Sequence, residues 1–265
     1  MIFDLIFLAG FSENDALMCE GEGVTKKSFL NLGDKTFIEH LVENMLSLKG
    51  LRDIYLSGMA KKEWKTDLPV IFVEDKGDII SKLRKHRIDY YSDKEEPDYV
   101  IVISSDTPLV TAQAVERFIE RCKETTGGEL TGLYYMSLID QKDMEAKFPG
   151  SNRSYAKFRD VTFASGDTLL AKPSIIDTHG DVLDRMVNNR KSVFKSLAVV
   201  SPIFAIKAML GLASLNDLNN AINKKIFKTP NACIGVIVDD PELGMDVDKP
   251  FQLEVVREYY KKKKL

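Results

Sequence analysis

Cysteine and histidine are scarce in this chain of 265 residues. The cysteines lie far apart, are odd in number and form no CxxC or Cys/His spacing: Cys19, Cys122 and Cys233. This usage argues against a disulfide scaffold or a structural zinc site and favours a reducing compartment. The three histidines are equally scattered and form no catalytic constellation. We therefore expect a cytoplasmic protein whose chemistry depends on other side chains.

The chain also lacks an excess of charge of one sign and an uninterrupted apolar run long enough to span a membrane. Lys and Arg number 37 against 40 for Asp and Glu, which supplies no general field for binding nucleic acid or an anionic bilayer. Hydrophobic residues make up 44% of the chain, which excludes a disordered protein. The apolar segment 196–215 contains Pro202 and Lys207, so it favours a buried or interfacial helical pair over membrane contact.

Apolar runs alternate with runs of helical periodicity along the chain. The residues before Gly10 read as a buried strand, and further strand-like runs lie at 53–58, 68–73, 99–104, 132–137, 168–171 and 232–238. Helical runs lie at 36–48, 79–91, 111–123, 214–227 and 250–262. This alternation predicts a mostly parallel sheet with helices on both faces. We expect a single domain over 1–265 with a helical insertion at 175–228.

Ligands of open α/β sheets bind beyond the carboxyl ends of the strands. The first strand ends at Leu8-Ala9-Gly10 and is followed by a loop of roughly 15 residues, which is long for this architecture. Backbone N–H groups around Gly10 are suited to a phosphate, with Lys26 or Lys27 supplying a cation. The alternative is an ordinary mobile loop with solvated lysines, because the segment matches neither GxxxxGK[ST] nor GxGxxG.

Carboxylates follow two other predicted strands. Asp106 follows the run 99–104 by two residues. Its carboxylate is suited to Mg²⁺, which prefers one or two carboxylates with water and phosphate oxygens. The alternative is that Asp106 caps the helix near Thr111 or forms a turn. Asp246 and Asp248 alternate in an extended segment and are expected to point to one side, where either completes a metal site with Asp106. The alternative there is a helix cap at Asp248 and a solvated Asp246.

Taken in order, these residues resemble a known family. Leu8-Ala9-Gly10, Lys27 with the segment 33–40, Ser105-Asp106-Thr-Pro-Leu109 and Asp246-Val-Asp248-Lys-Pro250 follow one pattern. That pattern resembles the nucleotidyltransferases of the molybdenum-cofactor guanylyltransferase-like and sugar-phosphate nucleotidylyltransferase type. The resemblance covers 3–110 and 232–257 well. It covers 140–230 loosely, chiefly through 163–168.

The resemblance implies a Rossmann-like three-layer α/β/α fold with a mostly parallel mixed sheet, of the nucleotide-diphospho-sugar transferase-like kind. It implies a Mg²⁺-dependent enzyme that transfers a nucleoside monophosphate from a nucleoside triphosphate to a small sugar or alcohol phosphate and releases pyrophosphate. The catalytic residues would be Lys27 and Asp106. The implied nucleotide-binding residues are Leu8, Ala9, Gly10, Lys26, Lys27, Gly77 and Asp106. The acceptor would contact Gly166 and Asp167, and Asp106 with Asp248 or Asp246 would hold the metal. For the insertion, the sequence favours a helical hairpin that covers the sheet or makes a homodimer contact, and the alternative is that it shapes an acceptor pocket.

Two departures keep alternatives open. Phe11 stands where the family has a second glycine, and Ser12-Glu13-Asn14-Asp15 brings acid where a triphosphate needs base. The alternatives are molybdopterin guanylyltransferase itself, a nucleotide-sugar glycosyltransferase on a similar sheet, and a catalytically silent nucleotide-binding homologue.

Overall fold

The main sheet has eight strands in this computed structural model, which describes residues 1–74, 79–189 and 201–264. Numbered in chain order, the strands are β1 Phe3–Leu8, β2 Asn31–Leu32, β3 Lys35–Thr36, β4 Leu51–Ser57, β5 Ile71–Val73, β6 Tyr99–Ser104, β7 Tyr134–Asp140, β8 Ala156–Lys157, β9 Thr162–Ala171 and β10 Cys233–Val238. Strands β2 and β3 form a separate antiparallel pair.

The main sheet runs in the order β10-β7-β9-β6-β1-β4-β5, with β8 paired to the outer part of β9. Its neighbours are parallel except in the pairs that β9 makes with β6, β7 and β8. Leu8 at the end of β1 lies beside Ser57 of β4 and Ser104 of β6. Three carboxyl ends therefore meet at one edge, where the predicted site residues follow.

Helices cover both faces of the sheet. They are α1 Ala16–Gly21, α2 Phe37–Met45, α3 Ile79–Tyr91, α4 Ala112–Thr125, α5 Gln141–Lys147, α6 Ile175–Asn189, α7 Pro202–Met209, α8 Leu215–Ile222 and α9 Pro250–Lys264. The alternation of strand side chains creates the two cores: Leu5 and Phe7 of β1 pack with α2, α4 and α9, whereas Ile6 packs on the opposite side, towards α3. The predicted three-layer α/β/α fold is confirmed.

Several predicted boundaries differ from the structure. The region after β1 is not a plain loop, because a 3₁₀ turn at Glu13–Asp15 leads directly into α1. Strand β5 begins at Ile71, after Pro69, which has no N–H to donate to a neighbouring strand. Strand β9 begins at Thr162, before the predicted run 168–171. Its first half was missed because Ser165, Gly166 and Asp167 interrupt the apolar residues there.

The range 175–228 contains α6, α7, α8 and a π-helical turn at Asn223–Phe227 in its described part. The single domain with this insertion stays a prediction. The apolar segment is described from Ser201 onwards, and that part is half-buried: Phe204 and Ala208 of α7 point into the core, whereas Ile206 is largely exposed. Across the described ranges, the structure has no helix both long enough and apolar enough to span a bilayer.

Candidate active site

The backbone at the end of β1 is hydrogen-bonded to the ends of its two neighbouring strands, β4 and β6. Ala9 donates its N–H to the carbonyl of Ser57 at 2.8 Å, and Ser105 donates to the carbonyl of Leu8 at 3.1 Å. Gly58 has a φ of +90°, and a Cβ there would stand 2.6 Å from Cα of Gly10. This close approach fixes the backbone at Gly10, which is exposed at the edge of the sheet.

Lys27 lies at the centre of this edge, at the start of a 3₁₀ turn. Its Nζ is 2.6 Å from Oδ2 of Asp106, 2.8 Å from Oδ1 of Asp248 and 3.3 Å from Oδ1 of Asp15. The Lys27 side chain is only 10% exposed. The structure thus brings together three residues predicted for the site and adds Asp15, for which the sequence predicts only an unfavourable charge beside a triphosphate.

The carboxylates determine the charge state of Lys27. Burial lowers its pKa, but Asp106 and Asp248 outweigh that effect and the net pKa is raised, so Lys27 is a cation throughout the physiological range. Burial raises the pKa of Asp15, which Lys27 opposes only in part. Asp248 is 58% exposed and screened by solvent, whereas Asp106 is 14% exposed. The pair of Lys27 with Asp106 is therefore the strongest electrostatic contact of the cluster.

Hydrogen bonds hold Asp106 in place. Ser104 donates its hydroxyl to Oδ1 of Asp106, and Thr107 donates its own to the carbonyl of Ser104 at 2.7 Å. Val247 donates its N–H to the carbonyl of Asp106 at 2.9 Å. The cap of α4 is Thr111, whose side chain accepts from N–H of Ala114, so the interpretation of Asp106 as that cap is wrong.

Gln252 holds the segment that carries Asp248. Its Oε1 accepts from the N–H groups of Asp248 and Lys249, both at 2.9 Å, and its Nε2 donates to the carbonyl of Ser151 at 3.1 Å. Gln252 is buried. The start of α9 is thereby joined to the loop before β8.

Lys26 does not share the position of Lys27. Its Nζ donates to the carbonyl of Gly58 at 2.7 Å and lies 2.8 Å from Oε1 of Glu63. The second oxygen of Glu63 accepts from N–H of Ala60 at 2.6 Å. Lys26 is buried and ties the segment after β4 to the site. Its nucleotide-binding role stays a prediction.

Asp246 and Asp248, expected on one side, face different cations. Asp246 pairs with Nη1 of Arg153, and Nη2 of Arg153 lies 3.6 Å from Oδ2 of Asp167 and donates to the carbonyl of Ser165 at 3.1 Å. Arg153 also lines a cleft of about 430 Å³ beside Ser151. Arg153 was not predicted from the sequence, because it lies in the loosely matched part of the chain and belongs to no motif.

Gly166 lies in β9, and Phe11 and Glu13 lie in the segment that follows β1. A Cβ at Gly166 would stand 2.1 Å from Oγ of Ser137, so glycine is required for β9 to pack on β7, and its acceptor role stays a prediction. Phe11 is 48% exposed and Glu13 is exposed, so Glu13 faces solvent. Gly77 lies outside the described residues.

Comparison with known proteins finds a family model that matches part of this chain. Residues 18–131 match the MobA-like NTP transferase domain. The match includes Lys27 and Asp106, and it supports the resemblance to the nucleotidyltransferases. A search of curated proteins found no match.

Solved structures share the fold over nearly the whole chain. A hypothetical transferase from Thermus thermophilus is 24% identical with a TM-score of 0.76, covering 96% of this chain and 100% of that one. A CMP:2-keto-3-deoxy-manno-octonic acid synthetase complexed with CTP is 14% identical with a TM-score of 0.56, covering 99% and 98%. A 2-C-methyl-D-erythritol 4-phosphate cytidylyltransferase, also from Thermus thermophilus, is 11% identical with a TM-score of 0.51, covering 98% and 100%. At these identities the likeness shows a common fold.

Proposed function

We propose that this chain transfers a nucleoside monophosphate from a nucleoside triphosphate to a small sugar or alcohol phosphate and releases pyrophosphate. The observation that carries the proposal is the convergence of Asp106 and Asp248 on the ammonium of Lys27, at 2.6 and 2.8 Å. This convergence lies at the edge where α/β sheets bind ligands. The fold shared with a synthetase complexed with CTP and a cytidylyltransferase supports the same reaction class.

Mg²⁺ fits the donor set at this edge. Asp106 and Asp248 present carboxylate oxygens within hydrogen-bond distance of one point, and Mg²⁺ favours one or two carboxylates together with phosphate oxygens. Asp248 is favoured over Asp246 as the second ligand, because Asp246 pairs with Arg153. The part of the chain that the structure describes contains no group of three or more such ligands. When bound, Mg²⁺ would neutralise charge on the triphosphate.

The residues of the chain supply fixed charge and position. A phosphate oxygen of the acceptor attacks the α-phosphorus, and the bond from that phosphorus to the oxygen bridging it to the β-phosphate breaks, so pyrophosphate leaves. The acceptor phosphate is already ionised and needs no general base. Lys27 exchanges its carboxylate partners for phosphate oxygens, which lowers the electrostatic barrier that dominates this reaction. The exposed backbone at Gly10 lines the path of the triphosphate, and the hydrogen bonds of Leu8 and Ala9 to the neighbouring strand ends hold it there.

Arg153 is our candidate for the cation that holds the acceptor phosphate. It lies between Asp167 and Asp246, beside the cleft near Ser151. A guanidinium binds phosphate oxygens in pairs, and its present carboxylate partners keep it in a fixed position. Gly166 and Asp167 would then border the acceptor.

A pyrophosphate-release assay tests the proposal. The four nucleoside triphosphates are combined with sugar and alcohol phosphates, with Mg²⁺ or with EDTA. Lys27→Met and Asp106→Asn are each expected to lower turnover by about a hundredfold or more. Lys35→Met is the matched control, because Lys35 forms an exposed ion pair with Glu43. Unchanged turnover in both site variants contradicts the assignment.

Thermal shifts distinguish a silent homologue from an enzyme. A ligand that binds the native state raises the melting temperature. A shift with a nucleoside triphosphate, but no turnover with any acceptor, would favour the catalytically silent alternative. No shift with any nucleotide would contradict nucleotide binding itself.

Molybdopterin guanylyltransferase is a second candidate, favoured by the match of residues 18–131 to the MobA-like NTP transferase domain. It requires GTP and a pterin phosphate in the same assay. Turnover confined to that pair would select it over sugar or alcohol phosphate transfer.

A further inference from the structure

Asp15 stands at the start of α1 but does not cap that helix. A capping side chain accepts a hydrogen bond from an N–H group in the first turn of its own helix. Asp15 is the N-cap residue of α1, yet its side chain makes no such bond. Its Oδ1 lies instead 3.3 Å from Nζ of Lys27, and the side chain is 13% exposed. Capping therefore does not account for the position of this carboxylate, whereas the contact with Lys27 does.

The other two carboxylate partners of Lys27 are needed elsewhere once the substrates bind. On the proposed function, on which this inference rests, Asp106 and Asp248 are the carboxylates that hold Mg²⁺. Oδ1 of Asp106 accepts from the hydroxyl of Ser104, so Oδ2, which Lys27 contacts at 2.6 Å, is the oxygen left for a metal. Lys27 also contacts Oδ1 of Asp248 at 2.8 Å. The ammonium of Lys27 and Mg²⁺ therefore compete for the same carboxylates.

Asp15 does not join the metal ligands. Across the ranges that the structure describes, no three carboxylate, histidine or cysteine side chains are arranged to hold one metal ion. Asp15 therefore keeps its contact with Lys27 when the other two carboxylates are given up, and a lysine that is 10% exposed needs such a partner. We propose that Asp15 is a positioning residue that holds the ammonium of Lys27 beside the triphosphate while Asp106 and Asp248 bind Mg²⁺.

This role reverses the effect expected of an acid beside a triphosphate. A carboxylate that acts on the phosphates directly repels them, so its removal should tighten nucleotide binding. A carboxylate that acts through Lys27 does the opposite. Without Asp15, the ammonium stays on Asp106 and Asp248, and both Mg²⁺ and the phosphates bind more weakly. The two possibilities therefore predict opposite results for Asp15→Asn, which removes the charge and keeps the size of the side chain.

Isothermal titration calorimetry tests the role with the α,β-methylene analogues of the four nucleoside triphosphates in the presence of Mg²⁺, because these analogues bind without reacting. Asp15→Asn should weaken binding of the tightest analogue by about tenfold. In the Lys27→Met background the same substitution should not weaken it. Glu13→Gln is the matched control and should not weaken it either, since Glu13 is exposed in the same 3₁₀ turn and its replacement changes the local charge equally. Asp15→Glu keeps the charge and should recover most of the affinity.

The outcomes separate this role from the proposed function. Tighter binding by Asp15→Asn, or equal weakening with and without Lys27, overturns the positioning role and leaves nucleotide binding standing. Failure of the wild type to bind any analogue overturns the proposed function and this role with it. In the pyrophosphate-release assay, Asp15→Asn should lower kcat by about tenfold and Asp15→Glu should restore it. If Asp15→Glu is as impaired as Asp15→Asn while melting curves show both folded, the charge of Asp15 is not what positions Lys27, and the role is overturned.

Discussion

Lys27→Met removes the ammonium that balances the carboxylates around it, and the structure gives the size of the effect. The methionine keeps the length of the side chain but not its charge. Asp106 and Asp15, which are 14% and 13% exposed, then face each other without the cation at their centre. The folded protein must keep one of them protonated or leave both charges poorly solvated.

The magnitude follows mainly from Asp106. Removing one partner of a buried ion pair costs about 3–5 kcal/mol, and contacts with solvent-exposed partners add little. Asp248 is 58% exposed and Asp106 is not fully buried, so we expect a value at the lower end. Lys27→Met should therefore lower the free energy of unfolding by about 3 kcal/mol near pH 7 in Mg²⁺-free buffer.

Urea denaturation at several pH values is the assay. The difference between wild type and Lys27→Met should shrink as the pH falls, because a protonated carboxyl needs no cation. Added Mg²⁺ should raise the stability of Lys27→Met more than that of the wild type, because the metal replaces the missing charge. Lys35→Met reports the effect of losing an exposed pair. Equal stability of Lys27→Met and wild type at neutral pH would refute the electrostatic reasoning.

Three further perturbations test other parts of the structure. Gly58→Ala should lower the free energy of unfolding by about 2–4 kcal/mol in urea, because its Cβ would stand 2.6 Å from Cα of Gly10 at a φ of +90°. Burial lowers the pKa of His86 from 6.5 to about 4, so the wild type should lose up to about 1.4 kcal/mol of stability per pH unit as pH falls through that window, and His86→Phe should not. Arg153→Ala should raise KM for the phosphorylated acceptor by about tenfold or more and leave KM for the nucleotide unchanged.

Each of these has a matched control. Gly127→Ala isolates backbone strain, because Gly127 has a φ of +83° with nothing within 4 Å of its Cβ position, and equal losses in the two glycine variants would argue against the steric contact. Identical pH profiles for wild type and His86→Phe would show that His86 does not titrate as inferred. Arg121→Ala removes an exposed arginine beside Glu124, and an equal change of KM there would argue against a specific role for Arg153.

The centre of the site was predictable because its residues carry local signals. Leu8-Ala9-Gly10 and Asp106 each end a strand, and strand ends in a parallel sheet share an edge. Asp248 precedes the proline that begins α9. The position after the first strand pointed equally to Lys26 and Lys27, and only the spacing of the family pattern singled out Lys27.

The rest of the site depends on contacts between distant parts of the chain. The sequence predicts Asp15 only as an acid where a triphosphate needs a base, whereas the 3₁₀ turn before α1 directs it towards Lys27. Arg153 meets Asp167 and Asp246 through the packing of β9 against the segment after β10. Such pairings leave no periodicity or motif in the sequence. The same holds for Lys26, whose acidic partner, Glu63, lies beyond β4.

The hydrogen bond from Val247 to the carbonyl of Asp106 joins an early strand of the sheet to one of the last segments of the chain. A chain emerging from the ribosome can pair β1 with β4 and β6, and even seat Lys27 against Asp106, before residues 246–248 exist. Until they arrive, the nucleotide edge lacks Asp248 and Arg153 lacks Asp246. On the proposed function, a chain that stops before these residues would lack a carboxylate partner at each of the two proposed binding places.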